Sequence, residues 1–135
     1  MYLTYEQFVE QFTPLSSLLG GEVKKAVARS ALERAHADLD ARLRLRYETP
    51  LPYATLPEPT KRLLQRWVYY LTVRELLSAQ AVVLSADERA QSFLSDTLEL
   101  IDEQIESYVQ GARTLAGVTA RVRTYFGTVG LDAGS

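Results

Sequence analysis

Residues 35–59 read AHADLDARLRLRYETPLPYATLPEP, and the fold class turns on how that stretch divides. Its first half is the end of an alanine-rich helix carrying Arg42, Arg44 and Arg46. Its second half holds four of the chain's five prolines, Pro50, Pro52, Pro57 and Pro59. Proline has no N–H to donate and biases the residue before it away from helical angles, so the incoming helix is expected to stop between Arg46 and Glu48. From there the backbone is expected to be stiff and extended as far as Pro59, which suits the first turn of a new helix. A stiffened elbow between two long helices fixes an angle. None of its residues forms a catalytic constellation.

Working outward, the periodicity predicts helices on both sides. Thr4 followed by Gln7 is a capping-box pattern, which predicts a short helix from Tyr5 to about Phe12, ended by Pro14, with Phe8 and Phe12 as its apolar stripe. Leu15 to Gly21 is expected to be a loop punctuated by Gly20-Gly21. A second helix is predicted from Glu22 to Arg46 with the stripe Val27, Ala31, Ala35, Leu39 and Leu43. The third, from about Pro59 to Gln80, is apolar on most sides through Leu63, Leu64, Trp67, Val68, Tyr70, Leu71, Val73, Leu76 and Leu77, the mark of a helix buried centrally or between subunits. Ser85 with Glu88 opens a fourth helix running to about Gln110. Its seam is Leu94, Leu98, Ile101, Ile105, Tyr108 and Ala112, and Gly111 suits a C-cap. The expected fold is therefore all-α: a small antiparallel bundle of about four helices over residues 1–112, with a Pro-rich elbow. Residues 113–135 are expected to form a C-terminal arm, extended or partly β around Val122 to Tyr125. So apolar an arm is expected to fold back on the bundle or dock on another chain.

Composition narrows the class without naming a chemistry. At 135 residues, with 47% apolar and 24% charged content, the chain fits one ordinary domain. It contains no cysteine, which excludes disulfides and thiolate metal sites. The opening MYLTYEQF has neither a basic n-region nor an apolar h-region, so no signal peptide is expected. No apolar run is long enough to span a bilayer, and a cytosolic protein is the default expectation. The local charges say more than the net −2. Glu22 to Glu48 holds seven basic residues against five acidic, Asp87 to Glu106 holds seven acidic against Arg89 alone, and Arg113 to Arg123 holds three arginines and no acid. Unlike charged faces on one subunit permit head-to-tail contact between copies, the geometry that closes into rings, although such runs are also ordinary solvated faces.

Enzyme constellations fail in turn. His36 is the only histidine; on a helix beside Arg29 and Arg34 it is expected at the surface, and no metal site is expected. There is no phosphate-cradling glycine motif and no basis for a Ser–His–Asp set. Asp38 and Asp40, two apart on a helix, point to different faces, and Asp102, Glu103 and Glu106 share a turn as a solvated face. No cofactor is implied. Arg42 and Arg46 are four apart on one helix, and Arg62 and Arg66 repeat the spacing on the next. A sequence pI of about 5.4 nevertheless argues against a dedicated nucleic-acid binder.

A longer pattern surrounds the elbow. It begins with Y-L-T-Y-E-Q-F at residues 2–8 and continues through an Ala/Asp-rich helix. Then come R-Y-x-x-P-L-P from Arg46 to Pro52, a Pro-started apolar helix, and Gly111 with Leu115. This order resembles the head–tail connector (head-completion, or adaptor) proteins of tailed bacteriophages, those of Mu-like prophages in particular, over residues 2–116. The chain departs from that family's usual Ile-Asp-x-Tyr-Leu-like run, having Leu39-Asp40-Ala41-Arg42-Leu43 instead. The resemblance implies a virion protein of the neck. Its copies would form a ring, commonly twelve-fold, beneath the portal protein. The ring would extend the channel for DNA, which passes without sequence-specific binding, and dock the next neck or tail component. In that setting Asp96, Glu99, Asp102, Glu103 and Glu106 are candidates for the channel face, where carboxylates would keep DNA mobile. Arg42, Arg46, Tyr47, Arg113, Arg121, Val122, Arg123, Tyr125 and Phe126 are candidates for portal or subunit contacts. The alternative class is a small helical DNA-binding or regulatory protein; neither class involves a membrane.

Overall fold

The structure, a computed structural model, describes residues 1–12, 22–78 and 88–120, with the backbone alone for residues 22–24 and 88–91. The described residues form a small all-α bundle of four α-helices: α1 (Tyr5–Gln11), α2 (Glu22–Leu43), α3 (Glu58–Ser78) and α4 (Glu88–Val109). The Thr4–Gln7 capping box forms in full, each side chain bonding the other's backbone N–H at 3.0 and 3.1 Å. Gly20-Gly21, the Ser85 end of the second capping box and the arm beyond Ala120 lie outside the described residues.

α2 packs most extensively on α3, while α4 lies against both and α1 sits on α2. The buried face of α2 is Ala28, Ala31, Leu32, Ala35, His36, Leu39 and Leu43, a stripe of steps of three and four. Its alanines leave room for close approach by a neighbouring helix. α3 buries Leu64, Trp67, Val68, Leu71, Thr72, Val73 and Leu76. Trp67 is wholly enclosed, meets Tyr108 of α4 edge-on at 5.3 Å, and donates its indole N–H to Gln104 at 3.1 Å. Truncating such a residue costs about 3–5 kcal/mol. Among the described residues the buried threonine hydroxyls are all satisfied. Thr72 and Thr97 donate to the carbonyls of Val68 and Phe93, and Thr60 donates to Ala116, each at 2.7 Å. In the α4 seam Ile101 and Ile105 are buried, Leu94, Leu98 and Tyr108 are half-buried, and Ala112 is exposed.

Three expectations change. α2 ends at Leu43, not Arg46, and residues 44–46 continue it as a tight turn in which Arg46 and Tyr47 both donate to the Leu43 carbonyl. The elbow is not extended throughout: Tyr53–Thr55 is a 3-10 turn, and the Thr49–Pro50 peptide is cis. His36 is buried, at 8% exposure, where a surface position was expected. Its two nitrogens are both committed to backbone, so burial leaves no polar atom unpaired.

Candidate functional site

Tyr2, Arg46-Tyr47, Leu51, Gly111 and Leu115, all part of the sequence pattern, meet around the elbow. Tyr2 crosses from the N-terminus to the elbow, where its hydroxyl donates to Asp40 at 2.5 Å and accepts the Leu51 N–H at 2.8 Å. Burial and the neighbouring Asp40 carboxylate push the Tyr2 hydroxyl well above the usual tyrosine range, so it stays a donor. The Tyr2 and Leu3 N–H groups both donate to His36 Nε2, at 3.0 and 3.1 Å, and His36 Nδ1 lies 2.9 Å from the Leu32 carbonyl. This arrangement assigns the proton to Nδ1 and requires a neutral ring. Burial lowers the His36 pKa in the same sense.

The other side of the elbow is closed by the chain after α4. Tyr47 is completely buried, its hydroxyl accepts the Leu115 N–H at 3.3 Å, and its backbone pairs with Ala120 in an isolated antiparallel bridge. Gly111, at φ +88°, turns the chain out of α4 beneath the Arg46 guanidinium; Gly117, at φ +80°, lies against Pro57. Both glycines hold left-handed angles that favour glycine, in places where a Cβ would meet other atoms. Tyr2, Tyr47, Leu51 and Leu115 thus form a buried knot that fixes the elbow from both ends of the described chain.

This geometry redistributes the interface candidates. Tyr47 is corrected from a surface contact to a core residue. Arg42 is engaged within the subunit, donating to Asp38 at 3.2 Å and to Asp102 at 2.8 Å. Arg46 is half-buried with its guanidinium carbon 5.9 Å from the Tyr47 ring centre. Arg113 is exposed. Arg121, Val122, Arg123, Tyr125 and Phe126 lie outside the described residues. Among the channel candidates, Asp96, Glu99, Glu103 and Glu106 are exposed on α4. Asp102 is different: Arg74 donates to both of its oxygens, at 2.6 and 3.1 Å, and Arg42 adds a third bond. Those hydrogen bonds, that from Arg74 foremost, hold the Asp102 carboxyl below its usual range against the opposing effect of burial. It is therefore an internal tie joining α2, α3 and α4.

A second surface emerges that sequence reading only half resolved. Gln11 of α1 and Arg62, Gln65, Arg66, Tyr69 and Tyr70 of α3 line a groove of about 450 Å³. The Arg66 guanidinium sits 5.7 Å from the Tyr70 ring, and Tyr69 packs against Phe8, Phe12 and Tyr70. Burial, with a smaller contribution from Tyr70, pushes the Tyr69 hydroxyl up to about 12. The signal was Arg62, Arg66, Tyr69 and Tyr70 at i, i+4, i+7 and i+8; what was missing was the packing of α1 that makes one wall.

Among the described residues no group of three or more His, Asp or Glu side chains is placed to hold a metal ion, and no helix is long and apolar enough to cross a membrane. No family model, no curated protein and no solved structure matches the chain.

Proposed function

We propose that this chain is a structural adaptor of a tailed-bacteriophage neck. Its copies form a ring beneath the portal protein, extend the DNA channel and dock the next neck or tail component. The observation that carries this reading is the knot around the elbow. The residues of the connector-like pattern, Tyr2, Arg46-Tyr47, Leu51, Gly111 and Leu115, are far apart in sequence yet interlock. A pattern with members from both ends of the described chain on one clamped angle suits a shaped subunit. A repeated wedge angle decides whether a ring closes. Exposed carboxylates of α4, Glu99 and Glu106 foremost, supply an anionic face suited to a conduit that must not hold phosphates.

Portal recruitment tests the reading. The portal protein encoded in the same genome, mixed with the full chain, is expected to yield a portal complex carrying a ring of this chain in electron micrographs. A portal that binds none of it overturns the reading. One observation favours the second class: the Arg62, Arg66, Tyr69 and Tyr70 surface has the cation-and-aromatic make-up of single-strand nucleic-acid sites. That class predicts salt-sensitive nucleic-acid binding by the isolated chain, and filter-binding across a salt series separates the two.

A further inference from the structure

The groove on α3 and the outer stripe of α4 are complementary in charge and in apolar character. On α4, Phe93 and Leu100 are 70% and 58% exposed, far more than large apolar side chains in a packed face. Spaced seven apart, they share one stripe, and Asp96 and Glu103 flank it at the same spacing. The groove presents the counterpart: two guanidinium groups one turn apart, two tyrosines and two amides. Arg62 is exposed and makes no ion pair among the described residues. At 1.5 Å per residue, Arg62–Tyr70 spans about 12 Å and Phe93–Glu103 about 15 Å, so the two surfaces match in length.

Within one molecule the far side of the groove is turned from α4. Trp67 and Arg74 direct one face of α3 onto α4 through Gln104 and Asp102. Arg62 and Tyr69 are each five residues before those two, which at 3.6 residues per turn turns them by about 140° away from α4. The geometry points to a head-to-tail contact between copies: the Phe93–Asp96–Leu100–Glu103 stripe of one copy seats in the Arg62–Arg66–Tyr69–Tyr70 groove of the next. The stretches of this chain outside the described residues offer the groove less acid. Residues 13–21 contain no acid, residues 79–87 contain Asp87 alone, and residues 121–135 carry two arginines against one aspartate. Because the two patches are made of different residues, the contact is heterologous and propagates into a ring or a filament. It names the subunit interface of the adaptor proposed above and rests on that reading only for its ring-closing outcome. Asp96 and Glu103 are then interface groups, and Glu99 and Glu106 remain for the channel.

Charge reversal on the full chain tests the contact by sedimentation velocity. The variants R62E/R66E and D96K/E103K change exposed side chains only, and circular dichroism reports their helicity. Each alone is expected to weaken self-association at least about tenfold, because like charges then face one another. Mixed together, they are expected to assemble again in alternation, because the unchanged stripe of R62E/R66E meets the unchanged groove of D96K/E103K and the lysine stripe of the latter meets the glutamate groove of the former. The chain carrying all four reversals regains assembly. Self-association of both variants at the wild-type level overturns the contact, even if closed rings persist and the adaptor reading stands. A wild-type chain that stays monomeric also overturns it, whereas assembly into open filaments supports the contact and removes the ring.

Discussion

Arg74 of α3 grips Asp102 of α4 through two bonds, at 2.6 and 3.1 Å, and Arg42 of α2 reaches the same carboxylate at 2.8 Å. One acidic residue therefore ties three helices, and two cations oppose its single charge. Its side chain is 40% exposed, so water screens the attraction and the value is discounted to that of a surface pair network.

Replacing this carboxylate by an amide is expected to cost about 1 kcal/mol. Urea denaturation of D102N should show a lower midpoint with an unchanged slope. The contribution has a pH sign. The folded-state pKa is depressed, so the stabilisation is present above the unfolded carboxyl value of 3.8 and fades as pH falls below it. An unchanged midpoint in D102N would show that the tie contributes nothing to stability.

His36 gives a second pH dependence. Its neutral ring accepts two backbone N–H groups, and its folded-state pKa lies below 6.5. The unfolded chain therefore binds a proton that the folded chain refuses, and stability declines as pH falls below about 6.5. Urea midpoints should be lower at pH 5.5 than at pH 7.5 in the wild type, and the difference should shrink in H36Q. Equal slopes with pH in both proteins would contradict the assignment of a neutral acceptor ring.

Tyr47 should separate the C-terminal return from the helices. Tyr47→Phe keeps the ring and removes the acceptor for the Leu115 N–H, a change worth about 0.5–1.5 kcal/mol. Hydrogen exchange should quicken at Leu115 while the amides of α3 keep their protection. Uniform quickening through α3 would show that the elbow and the bundle open together.

The two left-handed glycines should differ. A Cβ at Gly111 would come within 2.5 Å of the end of the Arg46 side chain, which can swing aside; at Gly117 it would come within 2.4 Å of Cδ in the Pro57 ring. Both G111A and G117A carry the strain of positive φ, about 1 kcal/mol. G117A should be the more destabilising by thermal unfolding, because a proline ring has no rotamer to escape into. The reverse order would place the greater constraint at the α4 exit.

The helices were legible because their signals are local. Thr4 with Gln7 and Gly111 after α4 each concern a few neighbouring residues, and the boundaries fall within about three of those expected. What was not legible depends on distant partners. Asp102 reads as one more acid on a charged helix until Arg42, sixty residues away, and Arg74 converge on it. His36 looks like a surface residue beside Arg29 and Arg34, yet it continues the buried steps Ala28, Leu32, His36 and Leu39. A shift of one residue in the assumed stripe hid it. The elbow prolines signalled a break correctly, but Tyr2 and Leu115 decide how the elbow is held, and neither belongs to it. The groove was visible as an arginine spacing and became a site only when α1 supplied a wall.

The adaptor reading stands most directly on one measurement, native mass of the intact chain across a concentration series. The account predicts a discrete closed oligomer of about twelve copies, in step with a heterologous contact that closes. A chain that remains monomeric at high concentration, alone and with the portal protein of its own genome, would contradict it.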